Sequence, residues 1–358
     1  MTETVKKRVV VGLSGGVDSS VAALLLKNAG YDVIGVTMIL FDKENNDKNC
    51  GSSNAIDDAR QIANKLQIPF YTLDLRNEFK EYVIDYFANE YMKGKTPNPC
   101  IACNKHLKFD LMLKKAKELY NADYIATGHY AKVEYNEVSD RYYITESATT
   151  AKDQTYVLYN MTQEQLKHIL MPLGDYTKEQ IREIAENNRF ITANKKDSQE
   201  ICFVEDNDYA NFITKNYTYN HIPGEFVDTK GNKYGKHKGI INYTVGQRRG
   251  LGLSLKSPLY VKKVDSKTHE VVLCSKDELF DDTLTCSDVN LIAISELNEP
   301  MKVQVKIRYS APKVNATLIP LNNGDIKVVF DEPQRAITPG QAVVFYNNNI
   351  LIGGGIIQ

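Results

Sequence analysis

Apolar positions in the first 130 residues fall into short solid runs separated by longer stretches that repeat every three or four residues. Residues 9–13, 32–40, 70–75 and 124–127 are runs of the first kind and suit buried strands. Residues 19–29, 53–66, 78–93 and 105–120 are of the second kind and read as helices. Gly30 ends the first helix, and Ser53 is placed to cap the second. Strands alternating with helices predict an α/β fold with a doubly wound parallel sheet, whose ligand lies outside the carboxyl ends of its strands.

Beyond residue 130 the pattern changes. Residues 131–134 and 141–145 read as a hairpin, followed by two short helices with capping-box starts at Thr162-Gln-Glu-Gln165 and Thr177-Lys-Glu-Gln180. The stretch Asp197-Ser-Gln-Glu-Ile-Cys202-Phe203 interrupts what would otherwise be a linker and is expected to fold back onto the first domain. From about Ile222 the chain is strand and turn, and residues 282–358 read as all-β, with turns at Asn322-Asn323-Gly324 and Asn347-Asn348-Asn349. In residues 302–308 alternation puts Lys302, Gln304, Lys306 and Arg308 on one face and Val303, Val305 and Ile307 on the other, which suits a small barrel.

Composition adds bounds. The 358 residues, 42% hydrophobic and 25% charged, are ordinary for a soluble protein, and the net charge of −1 gives no global pull toward nucleic acid. No run is long enough to span a membrane, and Lys6-Lys7-Arg8 leads into the first strand without a signal peptide, so a cytoplasmic location is expected. Positive charge is concentrated instead. From Lys230 to Lys263 there are nine Lys or Arg residues and no Asp or Glu. Within that segment the glycines of Gly246-Gln-Arg-Arg-Gly-Leu-Gly252 would let a phosphate backbone approach Arg248 and Arg249; a solvated basic surface is the alternative.

The candidate chemistry starts at the first strand–helix junction, Gly12-Leu13-Ser14-Gly15-Gly16-Val17-Asp18-Ser19. A glycine turn at a helix start presents backbone N–H groups and the positive end of the helix dipole, which favour phosphate. Gly and Asp are also common in any first β-α turn. The string lacks the lysine of the Gly-x-x-x-x-Gly-Lys-Ser/Thr loop used for γ-phosphate transfer. Met38 and Gly128 stand at neighbouring strand ends and become contacts for an adenosine through that shared placement.

Six cysteines in a chain of this length do not make a disulfide framework. Cys103 follows the proline-punctuated Thr96-Pro-Asn-Pro-Cys100 loop near an expected helix start, beside Lys105, a setting that favours thiolate. Cys202 is the second candidate, whereas Cys50, Cys274 and Cys286 read as small hydrophobes. Cys100, Cys103, His106 and Cys202 could make a zinc set, but no second Cys-x-x-Cys is present. Cys100, Cys103 and Cys202 could instead hold a [4Fe-4S] cluster, or Cys103 and Cys202 could form a redox pair that handles sulfur.

Ser14-Gly-Gly-Val-Asp-Ser19 resembles the pyrophosphate loop of ATP pyrophosphatases, which split ATP between the α- and β-phosphates. With Thr96-Pro-Asn-Pro, Cys103-Asn-Lys, Ala126-Thr-Gly-His-Tyr130, Lys152-Asp-Gln154, Asp197 to Phe203, Thr244 to Gly252, Arg308-Tyr309 and Pro339-Gly-Gln341, the chain resembles the tRNA-specific 2-thiouridylases over essentially its whole length. That resemblance implies a pyrophosphate-loop domain (1–165 and about 190–216), a central domain (about 166–189 and 217–281) and a C-terminal β-barrel (282–358). It implies that Gly12 to Ser19, Met38 and Gly128 bind ATP, with Mg²⁺ on the phosphates. Cys103 would be the nucleophile, and Cys202 would carry a persulfide from a sulfur-donor protein. Asn98, Pro99 and Cys100 would face the target base, and His129, Lys152, Asp153, Gln154, Arg308, Tyr309 and Gln341 would contact tRNA. The implied activity is 2-thiolation of the wobble uridine by a monomer, releasing AMP and pyrophosphate. One departure stands out. Many resembling sequences have Asp where this chain has Cys100, and the three cysteines look like those of iron-sulfur-dependent RNA thiolases. An enzyme of that kind, acting at another RNA position, and a synthetase acting on a small molecule are the alternatives.

Overall fold

The computed structural model describes residues 6–41, 53–195, 201–204, 208–219, 222–254 and 257–358. Asp197 to Glu200, Lys256 and Cys50, singled out above, lie outside these residues, as does the side chain of Ser53. The chain divides into two compact units: Met1–Val83, Cys100–Phe203 and Asn349–Leu351 in the first, and Ile84–Pro99, Val204–Asn348 and Ile352–Gln358 in the second.

The first unit is built on a five-stranded parallel sheet in the order β3-β2-β1-β4-β7. Its strands are β1 (Arg8–Gly12), β2 (Asp32–Ile39), β3 (Phe70–Asp74), β4 (Tyr124–Ala126) and β7 (Ile169–Leu170). Val9, Val10 and Val11 are fully buried, as a central strand covered on both faces requires. Because β2 and β4 flank β1 on opposite sides, the winding reverses between β1 and β4 and opens a crevice at their carboxyl ends. Helix α1 (Val17–Asn28) leaves that crevice, and Gly30, at φ +90°, follows its end. Helix α2 (Ser53–Leu66) has the expected bounds, and Ala59, Ile62 and Ala63 on it share a core with Val9, Val11 and Val21. The hairpin of β5 (Ala131–Asn136) and β6 (Arg141–Glu146) pairs through Thr145 and Ile144 with Ile350 and Leu351.

Two helical runs differ from expectation: the one expected at 78–93 begins at Arg76 and widens to i→i+5 turns over Lys80–Asp85 before ending as Tyr86–Met92, and the next departs further. The helical run expected at 105–120 begins with Pro99–Ala102, widens to i→i+5 turns over Cys103–Leu111 and ends as Met112–Tyr120. Proline lacks an N–H that a first helical turn would leave unbonded, and its fixed φ already suits the helix, so Pro99 starts the run six residues earlier than periodicity suggests.

The second unit contains a four-stranded sheet, β10-β11-β8-β9, over a core of Phe226, Ile240, Tyr243, Val261, Val271 and Leu273. These strands are β8 (Gly224–Asp228), β9 (Lys233–His237), β10 (Tyr260–Asp265) and β11 (Glu270–Cys274). It also contains the β-barrel. Strands β12 (Phe280–Leu291), β15 (Ile326–Arg335), β14 (Val314–Pro320), β13 (Met301–Lys306), β16 (Ala342–Asn347) and β17 (Ile350–Ile357) are neighbours in that order, and β12 pairs with β17 to close the ring. Val303, Val305 and Ile307 are buried while Lys302, Gln304, Lys306 and Arg308 are not, as alternation required. No helix among the described residues is long and apolar enough to cross a membrane.

Candidate active site

The turn after β1 is held open by its own side chains. Ser14 N–H donates to Ser19 Oγ (3.1 Å), the two hydroxyl oxygens are 3.2 Å apart, and Ser19 and Ser20 hydroxyls donate to Gly16 carbonyl at 3.2 and 2.8 Å. Gly15 sits at φ +70°, and a Cβ there would lie 2.5 Å from the carbonyl oxygen of Ala55, so only glycine fits. Gly16 caps α1, and Ser20 N–H is the first to find an intrahelical carbonyl. The N–H groups of Val17, Asp18 and Ser19 have no helical acceptor, which makes this turn an anion cradle. Gly128 presses on it from β4: a Cβ there would lie 2.8 Å from Asp18 carbonyl carbon and from Ser19 nitrogen. Met38, 8% exposed, stands two residues past Val36, the partner of Gly12. Gly12 to Ser19, Met38 and Gly128 thus occupy the ends of three adjacent strands in the first unit.

Two lysines to which no motif pointed bond to this turn. Lys178 Nζ donates to both Asp18 carboxylate oxygens at 2.8 Å, and Tyr130 hydroxyl donates to one of them at 2.7 Å. Lys178 is only 7% exposed, so its ammonium is buried against the half-buried Asp18 carboxylate, which balances its charge. Lys195 Nζ donates to Gly15 carbonyl (2.9 Å) and to Asp58 Oδ2 (2.8 Å). The capping box at Thr177 located the helix that starts with Lys178, but nothing in the spacing tied it to a loop 160 residues away.

Cys100 is exposed, whereas Cys103 and Cys202 are half-buried. The surrounding protein pushes the Cys100 thiol above its ordinary value, against the pull of Lys108, and so favours the protonated form. Cys103 is the fifth residue of its helix, because the run starts at Pro99; the helix-start setting expected for it belongs to Pro99–Ala102 instead. Next to it Asn104, 3% exposed, donates Nδ2–H to Val157 carbonyl at 3.0 Å and ties this helix to the loop of Lys152 to Gln154. Phe203, beside Cys202, packs edge-on against Phe79 in the core of the first unit, so this part of the Asp197–Phe203 stretch does fold back as expected. Among the described residues no three His, Cys, Asp or Glu side chains gather to hold a metal ion. Neither the zinc set of Cys100, Cys103, His106 and Cys202 nor the [4Fe-4S] set of the three cysteines is gathered among the described residues.

Family models match the chain from end to end. A tRNA methyl transferase HUP domain covers residues 7–206, a tRNA methyl transferase PRC-barrel domain 210–275 and an aminomethyltransferase beta-barrel domain 281–357. The chain is 55% identical over 358 residues to the tRNA-specific 2-thiouridylase MnmA of Acetivibrio thermocellus, covering 99% of both. It is 55% identical to that of Clostridioides difficile over 98% of both chains, and 56% identical to that of Clostridium beijerinckii over 99% of both. The chain belongs to the tRNA-specific 2-thiouridylase family.

In this member of the thiouridylase family, the residues expected to touch RNA divide by exposure. His129 is 8% exposed, with Nδ1 2.7 Å from Thr127 Oγ1, and burial holds its imidazole well below the usual range. Asp153 is buried, accepting from Ser147 N–H (3.2 Å), Thr155 N–H (3.2 Å) and Thr155 hydroxyl (2.5 Å). Gln154 exchanges two hydrogen bonds with the Tyr130 backbone. Arg308 donates to Ala336 carbonyl and to Thr338 Oγ1, and Gln341 Nε2 donates to Thr96 carbonyl at 2.9 Å. These five have protein partners for their polar atoms. Cys100 and Tyr309 are exposed, Asn98 and Lys152 are half-buried, and Pro99 is buried. Arg248 and Arg249 are both exposed, while Lys262 and Lys263 of the same basic stretch pair with Asp281 and Asp265.

Proposed function

We propose that this chain is an ATP-dependent tRNA sulfurtransferase that replaces the C2 oxygen of the wobble uridine with sulfur. The reading is carried by 55% identity, over 99% of both chains, to a protein named tRNA-specific 2-thiouridylase. The open first turn of α1 supports it, because a pyrimidine carbonyl is a poor electrophile and must first be activated.

In this reading Val17 to Ser19 hold the phosphates through N–H groups, and Met38 and Gly128 line the adenosine. Mg²⁺ would arrive on the phosphates and offset their charge, since Asp18 is already engaged by Lys178 and Tyr130. The uridine O2 attacks the α-phosphorus, and the α–β P–O bond breaks with its electron pair leaving on pyrophosphate. Cys202, loaded by a protein persulfide donor, delivers its terminal sulfur to C2, and AMP departs with the old oxygen. Cys103 thiolate attacks Cys202 Sγ as the S–S bond opens, and the resulting disulfide returns to two thiols at the expense of an external dithiol. Asn98, Pro99 and Cys100 face the base; a protonated Cys100 would serve there as a donor, not a nucleophile.

The test is iron-free protein incubated with tRNA, ATP and a persulfide donor, read by nucleoside mass spectrometry and nucleotide analysis. The expected result is 2-thiouridine with AMP and pyrophosphate, abolished in Cys103→Ser and Cys202→Ser. Release of ADP, sulfur at C4, or undiminished thiolation in either variant overturns it.

A further inference from the structure

The phosphate loop has no cation of its own. Its only ionisable group between Ser14 and Ser19 is Asp18, and Lys178 spends its charge on that carboxylate. A polyphosphate bound here brings several negative charges that backbone N–H groups alone would have to meet.

Lys195 is the ammonium placed to answer this. Of the three N–H donors on its Nζ, one goes to Gly15 carbonyl at 2.9 Å and one to a single oxygen of Asp58 at 2.8 Å. No other partner stands within hydrogen-bond reach among the described residues, and the side chain is 30% exposed. The bond to Gly15 pins the ammonium to the turn. Consecutive Cα atoms are about 3.8 Å apart, so phosphates gripped by residues 17 to 19 lie within about 8–15 Å of Gly15 along the chain, and closer across the turn. Arg182 holds the base of the lysine by donating to the carbonyls of Ala193 (2.7 Å) and Lys195 (3.2 Å).

The geometry points to Lys195 as the residue that binds the β,γ-diphosphate of ATP and stays with pyrophosphate as it leaves. This rests on the reading that ATP is cleaved between its α- and β-phosphates. The α-phosphate must remain open to the attacking uridine oxygen, whereas the leaving group gains charge as the P–O bond breaks and profits most from a cation. Asp58, through its one contact, aims the ammonium.

The test uses the full-length protein and three probes: inorganic pyrophosphate, ATP and AMP, each titrated calorimetrically. Lys195→Met should weaken pyrophosphate and ATP at least about tenfold, the scale of one charge-assisted hydrogen bond, and leave AMP within about twofold. Lys195→Arg should recover most of the loss. Unchanged pyrophosphate affinity, or AMP weakened as much as ATP, overturns the assignment; unchanged AMP binding also reports an intact fold. Release of ADP by the parent protein would instead sink the cleavage reading, whatever Lys195 does.

Discussion

Burial keeps the imidazole of His129 neutral, and the nearby Lys108 ammonium acts in the same direction. In the unfolded chain the same ring titrates near about 6.5. Below that pH the unfolded state takes up a proton that the native ring refuses, so the stability it contributes is full above about 6.5 and is lost as pH falls. Denaturant unfolding at pH 5.5 should therefore show about 1 kcal/mol less stability from this group than at pH 7.5. His129→Gln should remove that difference; a pH dependence identical to the parent's would exclude His129 as its source. At this scale the sequence located Ser14, Gly15, Asp18 and Gly128 through their motif, because loop chemistry is local. It gave no sign of Lys178 or Lys195, whose distances to the loop are set by packing across more than 150 residues.

Two short helices start with the same capping box, and each Thr accepts from the backbone N–H three residues on, at 3.2 Å for Thr162 and 3.3 Å for Thr177. Replacing either Thr with Ala should cost about 1 kcal/mol in unfolding experiments. Their functional effects should differ. Thr177 sets the start of the helix whose first residue, Lys178, holds Asp18, so Thr177→Ala should also weaken ATP binding severalfold, while Thr162→Ala should not. Equal ATP affinities for the two variants would show that the cap does not act through Lys178. Capping boxes are legible because both partners lie within four residues. The wide turns over Cys103–Leu111 are not, since a period of 3.6 cannot announce a local departure from itself.

Across the whole molecule the charge sums to −1, so RNA affinity must come from where the charges stand. Of the basic stretch, Lys262 and Lys263 are spent on Asp281 and Asp265, while Arg248 and Arg249 are exposed on a loop whose Gly246, Gly250 and Gly252 all have positive φ. In filter binding of tRNA at varied salt, Arg248→Gln with Arg249→Gln should weaken affinity and reduce the slope of log K against log salt by about 2, one for each lost phosphate contact. ATP affinity should stay as in the parent. An unchanged slope would place the RNA path elsewhere.

The parallel sheet, the barrel, the anion-binding turn and the family are legible along the chain, because hydrophobic period, turn residues and contiguous motifs are written in neighbouring positions. How the charges of that turn are balanced follows instead from the packed fold. It gave Asp18 to Lys178 and, among the described residues, left Lys195 with a donor to spare and did not gather Cys100, Cys103 and Cys202 into a metal-holding set. Such choices depend on which distant side chains the packed core brings within three ångströms of each other, and no local pattern records that.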